Sequence, residues 1–426
     1  MRRRLGLALA LALGALAVTP ATAEAAVSST PAATPQIADS GTDGSTEVVH
    51  QLVQCGGTMY AVGSFSSVEN GGSTAPIARS NAFAFSATAP YHVTGWNPDV
   101  NGDVHTAACA PDGSLLLGGS FSSAGGAAAR NLARVDATSG RNLGFGFQPD
   151  GEVSHMEVLQ GHLLVGGRFT GYLASVSPTT GASDGYGVPQ IAGTYQYPGV
   201  SKNTTRVFNM TPSPDGTAVL VTGVFTSVGG QHHEQVFRLN LTSGAATVSA
   251  WEPTELEQHC DHTEPFYARD AAWSPDGATI YTATTGYKPD GGSTSGPRTG
   301  PCDALIAYPA TEAAFSGHNW INYTGCDSFY SVASDGSTVY AAGHQRWVDN
   351  SNGCDAAGPG AIPQPGLAEF NPSDGSHQPG PNRGRGIGAG DLLRTSAGLW
   401  IASDNLGGVD TCAGQHGHAG ICFLPN

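Results

Sequence analysis

The feature that most constrains the fold is an internal repeat that runs from Val48 to the end of the chain. Each copy has a turn that contains glycine, followed by an apolar strand that in the clearest copies ends in glycine and an aromatic residue. A period of 48 to 62 residues between these turns is typical of architectures in which each copy forms one sheet. The seven marker glycines are Gly57, Gly113, Gly161, Gly216, Gly277, Gly336 and Gly398.

The second copy shows the repeating unit in full. It contains four short apolar segments, which begin near Val104, Leu115, Leu132 and Leu143 and are separated by turn sequences such as 111–113. One such sheet cannot bury both of its faces, whereas seven sheets packed around an axis can. The sequence therefore predicts an all-β fold, a seven-bladed β-propeller with four-stranded antiparallel blades. Two or three consecutive β-sandwiches would instead repeat about every 100 residues.

The beginning of the chain has the composition of an export signal. Three arginines, Arg2 to Arg4, precede the apolar run Leu5–Val18 and the small-residue pattern 23–25, so residues 1–26 are predicted to be a signal peptide. The apolar run is too short for a membrane anchor, and the protein is expected to be secreted without a membrane span. Residues 27–45, rich in Ser, Thr, Ala and Pro, are predicted to be a flexible leader to a propeller over 46–426. Because the last copy is short, we expect the segment before Val48 to supply its outer strand.

The charge balance excludes one class of partner. The chain has 18 basic and 34 acidic residues and a net charge of −16, which becomes −18 when three arginines and Glu24 are removed with residues 1–26. A nucleic-acid or anionic-membrane surface is therefore disfavoured.

Eight cysteines in an exported chain predict up to four disulfides. Two of them, Cys55 and Cys109, fall near the ends of successive first strands, which are neighbours in a propeller. The spacing of Cys412, His416, His418 and Cys422 would also suit a zinc site, but an oxidising compartment favours a disulfide. Proximity in sequence completes the predicted pairing, which is Cys55–Cys109, Cys260–Cys302, Cys326–Cys354 and Cys412–Cys422.

Several stretches resemble the delta-60 repeat of secreted bacterial β-propellers. In the second copy they are 125–126, 130–136 and 147–150, and the later stretches 343–347, 383–386 and 398–400 resemble the last repeats of such chains in high-GC Gram-positive bacteria. The resemblance covers nearly everything from Val48 onward and implies the fold and export. That family is largely without an assigned reaction, so the resemblance transfers no catalytic residue.

Polar residues recur at one position of the first strand, which lines the central channel of a propeller. Such groups either tie neighbouring blades together by hydrogen bonds or converge on a ligand or a metal ion. Two of them are carboxylates, which would repel each other in a narrow channel unless a cation or a shared proton neutralises them. Counting seven residues back from each marker glycine gives His50, Thr106, Ser154, Asn209, Asp270, Phe329 and Asp391, flanked by His105, His155, Arg269 and Tyr330.

Other histidines and the late repeats offer further candidates. His232 and His233 lie in one loop, and His259 and His262 flank Cys260; we interpret all four as surface residues unless the fold brings them together. Tryptophans and arginines of the late repeats either stack on and bind an acidic or sugar ligand or fill the core and pair with nearby aspartates. These late residues are Trp320, Arg346, Trp347, Arg383, Arg385 and Trp400.

The sequence favours a monomeric binding or scaffold module for an extracellular glycan, peptide or cell-wall component. Its expected ligand-binding residues are His50, His105, His155, Asn209, Arg269, Asp270, Asp391, Arg346, Trp347, Arg383 and Arg385. The chain has no His-Glu-x-x-His motif and no phosphate-binding loop, and no cofactor is implied other than a metal ion in the channel. The alternative is an extracellular hydrolase or lyase with its site at the channel mouth, because propellers also place catalytic acids on different blades.

Overall fold

The computed structural model describes residues 27–38, 47–195, 204–261, 268–289, 292–294, 296–311, 315, 317–404 and 411–426. Within them the chain forms 34 strands and one short 3-10 helix, η1 (Thr254–Glu257), and every strand-to-strand ladder is antiparallel. The strands are β1 (Gln36–Ile37), β2 (Val48–Cys55), β3 (Thr58–Ser64), β4 (Ser67–Glu69), β5 (Ile77–Ala78), β6 (Ala82–Ser86), β7 (Asp103–Cys109), β8 (Leu115–Ser120), β9 (Ser123–Ala124), β10 (Ala127–Ala128), β11 (Leu132–Val135), β12 (Val153–Leu159), β13 (His162–Gly167), β14 (Leu173–Val176), β15 (Ile191–Ala192), β16 (Arg206–Pro212), β17 (Ala218–Val224), β18 (Ser227–Val228), β19 (Gln231–His232), β20 (Val236–Leu241), β21 (Ala246–Val248), β22 (Ala268–Trp273), β23 (Thr279–Thr284), β24 (Ala304–Pro309), β25 (Trp320–Tyr323), β26 (Phe329–Ser334), β27 (Val339–Gly343), β28 (Trp347–Val348), β29 (Ile362–Pro363), β30 (Leu367–Phe370), β31 (His377–Gln378), β32 (Asp391–Thr395), β33 (Gly398–Ala402) and β34 (Ile421–Pro425).

Of the nine three- or four-stranded sheets in the described part of the chain, seven follow one another as successive units. Sheets 1 to 7 are β2-β3-β6, β7-β8-β11, β12-β13-β14, β16-β17-β20-β21, β22-β23-β24-β25, β26-β27-β30-β31 and β32-β33-β34. We call the first strand of each the inner strand. Each inner strand contacts the inner strand of the next sheet, and β32 contacts β2. A fourth strand is present in sheets 4, 5 and 6, while the other short strands form small sheets in the connections.

The core lies between successive sheets. The second strand of each sheet is largely buried, and in β17 all seven residues are buried. Apolar side chains from both of its faces pack against neighbouring sheets; for example, Leu220 packs with Ile280 and Tyr308 of sheet 5. This packing explains why the apolar strand after each glycine turn is the clearest element of the repeat.

A β-bulge explains the glycine at the end of that apolar strand. Six inner strands have a bulge at the same place, and in five of these sheets the second-strand residue beside it is glycine. At Gly63 and Gly119 a Cβ atom would collide with the carbonyl oxygen of Val48 and of Asp103, respectively. At these two positions glycine therefore allows the close approach of the two strands, whereas sheet 5 has Thr284 at the matching position. The bulged residues are His50, His105, Ser154, Phe208, Arg269 and Tyr330.

Residues 27–38, the first part of the predicted leader, lie against sheet 7. The N–H groups of Ser28 and Ala32 donate hydrogen bonds to the carbonyls of Pro425 (2.6 Å) and Phe423 (2.9 Å) in β34. Ile37 is 1% exposed, so this part of the predicted leader packs against the sheets. Its strand β1 pairs with β4, however, and among the described residues sheet 7 consists of β32, β33 and β34, so the segment before Val48 does not supply the expected outer strand of sheet 7. The predicted signal peptide and residues 39–46 lie outside the described residues.

Four disulfides join the cysteines in the pairs that their positions suggest, Cys55–Cys109, Cys260–Cys302, Cys326–Cys354 and Cys412–Cys422. The first of them links the inner strands of sheets 1 and 2. No helix among the described residues is long and apolar enough to cross a membrane.

Candidate functional site

One polar side chain from each inner strand belongs to a set that we call the polar ring. In sheets 1 to 6 each member is the inner-strand residue directly after the bulged residue. In sheet 7 it is the inner-strand residue at the same place in the pairing with the second strand. They are Gln51, Thr106, His155, Asn209, Asp270, Ser331 and Asp391.

The alignment of the repeats on the marker glycines predicted the polar-ring residue correctly in four sheets and wrongly in three. Thr106, Asn209, Asp270 and Asp391 lie at the aligned position, but in sheets 1, 3 and 6 the matching residue is Gln51, His155 and Ser331 instead of His50, Ser154 and Phe329. The physical reason is that the hairpins between first and second strands differ in length. Two residues separate the strands in sheets 1 and 3, four in sheet 6 and five in sheets 2, 4 and 5.

Hydrogen bonds of the polar ring connect each inner strand to the next. Gln51 Oε1 accepts from the N–H of Ala107 in sheet 2 (2.8 Å), and Thr106 Oγ1 accepts from the N–H of Met156 in sheet 3 (3.2 Å). His155 Nδ1 accepts a hydrogen bond from the N–H of Met210 in sheet 4 (3.3 Å). The side chains therefore tie neighbouring sheets together, which is one of the two interpretations that the sequence leaves open.

The two aspartates complete this pattern. Asn209 donates to Oδ1 of Asp270, whose Oδ2 accepts from the N–H of Val332 in sheet 6 (2.9 Å). Ser331 Oγ then donates to a carbonyl that precedes β32 (3.1 Å). Asp391 Oδ2 accepts from the N–H of Leu52 (3.0 Å), which joins the last inner strand to the first.

Burial changes the protonation of these aspartates. It raises the pKa of Asp270 to about 6 and that of Asp391 to about 7, and the charge of Asp270 adds to the effect at Asp391. Burial lowers the pKa of His155, but its hydrogen bond to Glu157 (3.2 Å) and the nearby carboxylates outweigh burial, and the net pKa is raised. The mutual repulsion predicted for the two carboxylates is thus relieved by proton uptake and by hydrogen bonds.

Two cavities meet at the polar ring. The first, of about 620 Å³, is lined by the bulged residues and by the segment before β32, and the second, of about 450 Å³, lies on the other side of the ring. A bulge turns its extra residue out of the regular pairing, and this brings the bulged side chains together in the first cavity. Of the predicted ligand-binding residues, those that line the first cavity are His50, His105, His155, Asn209, Arg269 and Asp391. Asp270 lines the second.

An aromatic ring between two guanidinium groups forms one wall of the first cavity. The guanidinium carbon of Arg206 lies 4.6 Å from the ring centroid of Phe208, and that of Arg269 lies 4.4 Å from it. Arg206 also forms an ion pair with Glu152. Sequence reasoning missed Arg206 and Phe208, because the alignment on glycines did not reveal which residue is bulged.

A pair of histidines forms another part of the wall. The rings of His50 and His105 are 4.7 Å apart between centroids. Burial lowers the pKa of His50 to about 3, and the charges of His105 and Arg269 act in the same direction; burial also lowers the pKa of His105. Both imidazoles are therefore neutral at physiological pH, and they offer hydrogen bonds without charge.

The late-repeat residues lie outside both cavities. Arg346 and Arg385 both form ion pairs with Asp327, at 2.8 and 3.2 Å, and Arg346 also lies over the ring of Trp347 at 4.5 Å. Arg383 is 1% exposed and donates to the carbonyls of Thr411 (2.6 Å) and His418 (2.8 Å).

The late tryptophans are part of the core. Trp320 and Trp400 are 6% and 1% exposed, and Trp400 stacks on Phe423 with 4.0 Å between ring centroids. Trp320, Trp400, Arg346 and Arg385 thus match the interpretation in which tryptophans fill the core and arginines pair with aspartates. Trp347 is only half-buried, and Arg383 binds backbone carbonyls instead.

Two motif-based sites lack the geometry that their chemistry requires. Cys412 and Cys422 are joined to each other, so they supply no thiolate to zinc. The stretch Gly181–Gly185, which the sequence analysis did not identify, has the spacing of a nucleophile elbow around Ser183, but the described residues that follow it, 186–195, form no helix as that elbow requires.

Comparisons with known proteins agree with the observed architecture. Residues 110–140 match the model of a β-propeller family described as a domain of unknown function, DUF5122. The chain resembles β-propeller proteins. No curated protein sequence matches the chain.

Among solved structures, U3-55K is similar in fold. The TM-score is 0.52 at 9% identity, over 93% of this chain and 100% of that one. The extracellular domain of a B. thetaiotaomicron protein described as a one-component system follows, with a TM-score of 0.47, 13% identity and coverage of 91% of this chain and 39% of that one. The computationally designed protein Ika8 has a TM-score of 0.44 and 8% identity, over 93% of this chain and 100% of that one. At such identities the likeness concerns the fold alone.

Proposed function

We propose that the chain is a secreted, monomeric, seven-bladed β-propeller of the delta-60 repeat type, in which sheets 1 to 7 are the blades. The seven successive sheets and the contact between β32 and β2 support a closed arrangement. The hydrogen bond from Leu52 to Asp391 supports it further. The export signal at residues 1–26 and the four disulfides support secretion.

Its function is that of an extracellular binding module that holds a carboxylate-bearing glycan in the first cavity. The observation that carries this proposal is the wall in which Arg206 and Arg269 lie over Phe208. A guanidinium group binds a carboxylate through two parallel hydrogen bonds, and the aromatic ring of Tyr330 in the same cavity suits the apolar face of a sugar.

The electrostatics of the cavity fit an anionic ligand. The chain carries a net charge of −16, yet Arg206 and Arg269 both line the first cavity, and of its two lining carboxylates, Glu152 and Asp391, the first is already paired with Arg206. The positive charge of Arg269 reaches far enough to lower the pKa of both His50 and His105. The neutral imidazoles can then donate to or accept from sugar hydroxyls. A peptide with a free carboxylate is the second source of the same chemistry.

A binding experiment with a matched arginine control tests the proposal. The mature chain is applied to an array of neutral and uronic-acid glycans, and the best ligand is titrated by calorimetry. We expect a preference for uronic acids and an affinity that falls about 10- to 100-fold in Arg269→Ala, because a charge-assisted hydrogen bond contributes about 1.5–3 kcal/mol. Arg141→Ala, which removes an exposed arginine outside the cavity, should bind as the wild type does.

Three outcomes would contradict the proposal. They are equal binding of neutral and acidic glycans, an unchanged affinity in Arg269→Ala, and turnover of the bound glycan. The last would instead favour the extracellular hydrolase or lyase.

A further inference from the structure

Three histidines and three glutamates meet beyond the outer strand of sheet 4, apart from both cavities. One group follows the hairpin β18–β19, and the other comes from the segment between β21 and β22. The sequence leaves these histidines as surface residues unless the fold brings them together, and for three of them it does; His262 lies outside the described residues. The His–Glu cluster consists of His232, His233, Glu234, Glu252, Glu257 and His259.

Three side chains of the cluster have the spacing of metal ligands. His232 Nδ1 lies 3.6 Å from Glu257 Oε1 and 3.9 Å from Glu252 Oε1, and one ligand atom from each residue lies within 4.8 Å of the others. In a tetrahedral zinc site with bonds of about 2.0–2.1 Å, neighbouring ligand atoms are about 3.3 Å apart. Shifts of a few tenths of an ångström in exposed side chains would bring these atoms to that distance.

Glu234 orients the histidine of this triad. Its Oε1 lies 3.4 Å from His232 Nε2, and its Oε2 lies 3.0 Å from His259 Nε2. The Glu234 side chain is 8% exposed, which limits its movement. A carboxylate that holds one ring nitrogen of a histidine directs the lone pair of the other nitrogen toward a metal, as is typical of zinc sites.

His233 provides an independent sign of a missing ligand. Its side chain is 4% exposed, and its Nδ1 has no hydrogen-bond partner although Glu252 Oε1 lies 3.7 Å away. A buried nitrogen without a partner costs folding free energy, and a ligand bound beside Glu252 would remove that cost.

Buried neighbours in the chain fix the backbone positions of the two glutamate ligands. Glu252 follows Trp251 and Glu257 follows Leu256, and these two apolar residues are 2% and 0% exposed. In the described part of the chain, the ion-pair partners of Glu234, Glu252 and Glu257 are all histidines. A bound cation would therefore neutralise the carboxylates that this cluster brings together.

We propose that His232, Glu252 and Glu257 bind a divalent transition-metal ion of the zinc class, with Glu234 orienting His232 and the buried His233 beside Glu252. Mixed imidazole and carboxylate ligands suit Zn²⁺, whereas Ca²⁺ and Mg²⁺ prefer oxygen ligands throughout. The site is independent of glycan binding in the first cavity, so either proposal can fail without the other.

Metal binding by the mature chain tests this site directly. The protein is stripped with EDTA, dialysed against Zn²⁺, and analysed for bound metal and for melting temperature. We expect one Zn²⁺ per chain and a higher Tm with Zn²⁺, because a ligand that binds only the folded state stabilises it. His232→Ala, which changes an exposed side chain, and Glu252→Gln with Glu257→Gln should each lose the bound ion.

Two control variants make the result decisive. His92→Ala, at an exposed histidine outside the cluster, and His105→Ala, in the first cavity, should keep the ion. Circular dichroism of each metal-free variant checks that the fold is retained. The proposal is overturned if the wild type binds no stoichiometric Zn²⁺, if His232→Ala keeps it, or if His105→Ala loses it.

Discussion

Replacing Asp391 by asparagine tests whether the polar ring joins sheet 7 to sheet 1. An amide oxygen can accept the hydrogen bond from the Leu52 N–H, at 3.0 Å in the wild type, without placing a charge there. Because burial raises the pKa of Asp391 to about 7, about 3 units above its ordinary value, ionisation costs at most about 4 kcal/mol. Water in the two cavities screens this charge, so we expect asparagine to stabilise the fold by about 2 kcal/mol at pH 8.5.

The pH dependence of this effect has a definite sign. Below about pH 4 the carboxyl group is protonated in both the folded and the unfolded chain, so wild type and Asp391→Asn should be equally stable. As the pH rises from about 4 to 7, the unfolded chain loses this proton first and the free energy of unfolding of the wild type falls relative to the variant. The difference should reach its plateau above about pH 8.

Urea unfolding followed by tryptophan fluorescence at several pH values gives the measurement, with Asp391→Ala as the control. Alanine removes the acceptor and leaves the N–H of Leu52, a residue 2% exposed, without its partner, which should cost about 1–3 kcal/mol at pH 4. The reasoning is refuted if asparagine and alanine have the same effect at pH 4, or if the advantage of asparagine does not change with pH.

Three further predictions concern the framework. Gly119→Ala should lower the free energy of unfolding by about 1–3 kcal/mol, because the new Cβ atom collides with the Asp103 carbonyl, whereas Gly95→Ala, with open space, should have little effect. Replacing Cys55 and Cys109 together by alanine should cost about 4 kcal/mol, since that disulfide closes a loop with a sequence separation of 54 and links two sheets. Glu369→Gln should stabilise the fold by about 1–2 kcal/mol at pH 8.5 and not at pH 4, because burial and the nearby Asp335 raise the pKa of Glu369 to about 7.

Urea unfolding with the same fluorescence readout checks all three. Equal stability of Gly119→Ala and Gly95→Ala would show that the bulge does not need glycine. An unchanged stability without the Cys55–Cys109 bond would mean that other contacts already restrict this loop in the unfolded chain. A benefit of Glu369→Gln that is the same at both pH values would show that its origin is not the charge.

The repeat made most of the architecture predictable, because it follows directly from packing. An apolar second strand and a glycine turn recur in each copy, and each copy in the sequence corresponds to one of sheets 1 to 7 among the described residues. The pairing of Cys55 with Cys109 followed from the same reasoning, since both lie at the ends of adjacent inner strands.

The site was predictable only in part, because bulges and hairpin lengths decide which side chains face the cavity. A two-residue turn in sheet 1 moves His50 to the bulge and Gln51 into the polar ring. Phe208 was not recognised as part of the wall because the sequence does not show that it is the bulged residue of sheet 4. The His–Glu cluster joins residues that are distant in sequence, such as His232 and Glu257, and only the folded connections bring them together.

A crystal structure of the mature chain with the best uronic-acid ligand would test the account most directly. The account predicts that the ligand carboxylate lies in the first cavity within hydrogen-bond distance of the Arg269 guanidinium, with a sugar ring against Tyr330. A ligand bound outside this cavity, for example on the surface formed by Arg346 and Trp347, would contradict it.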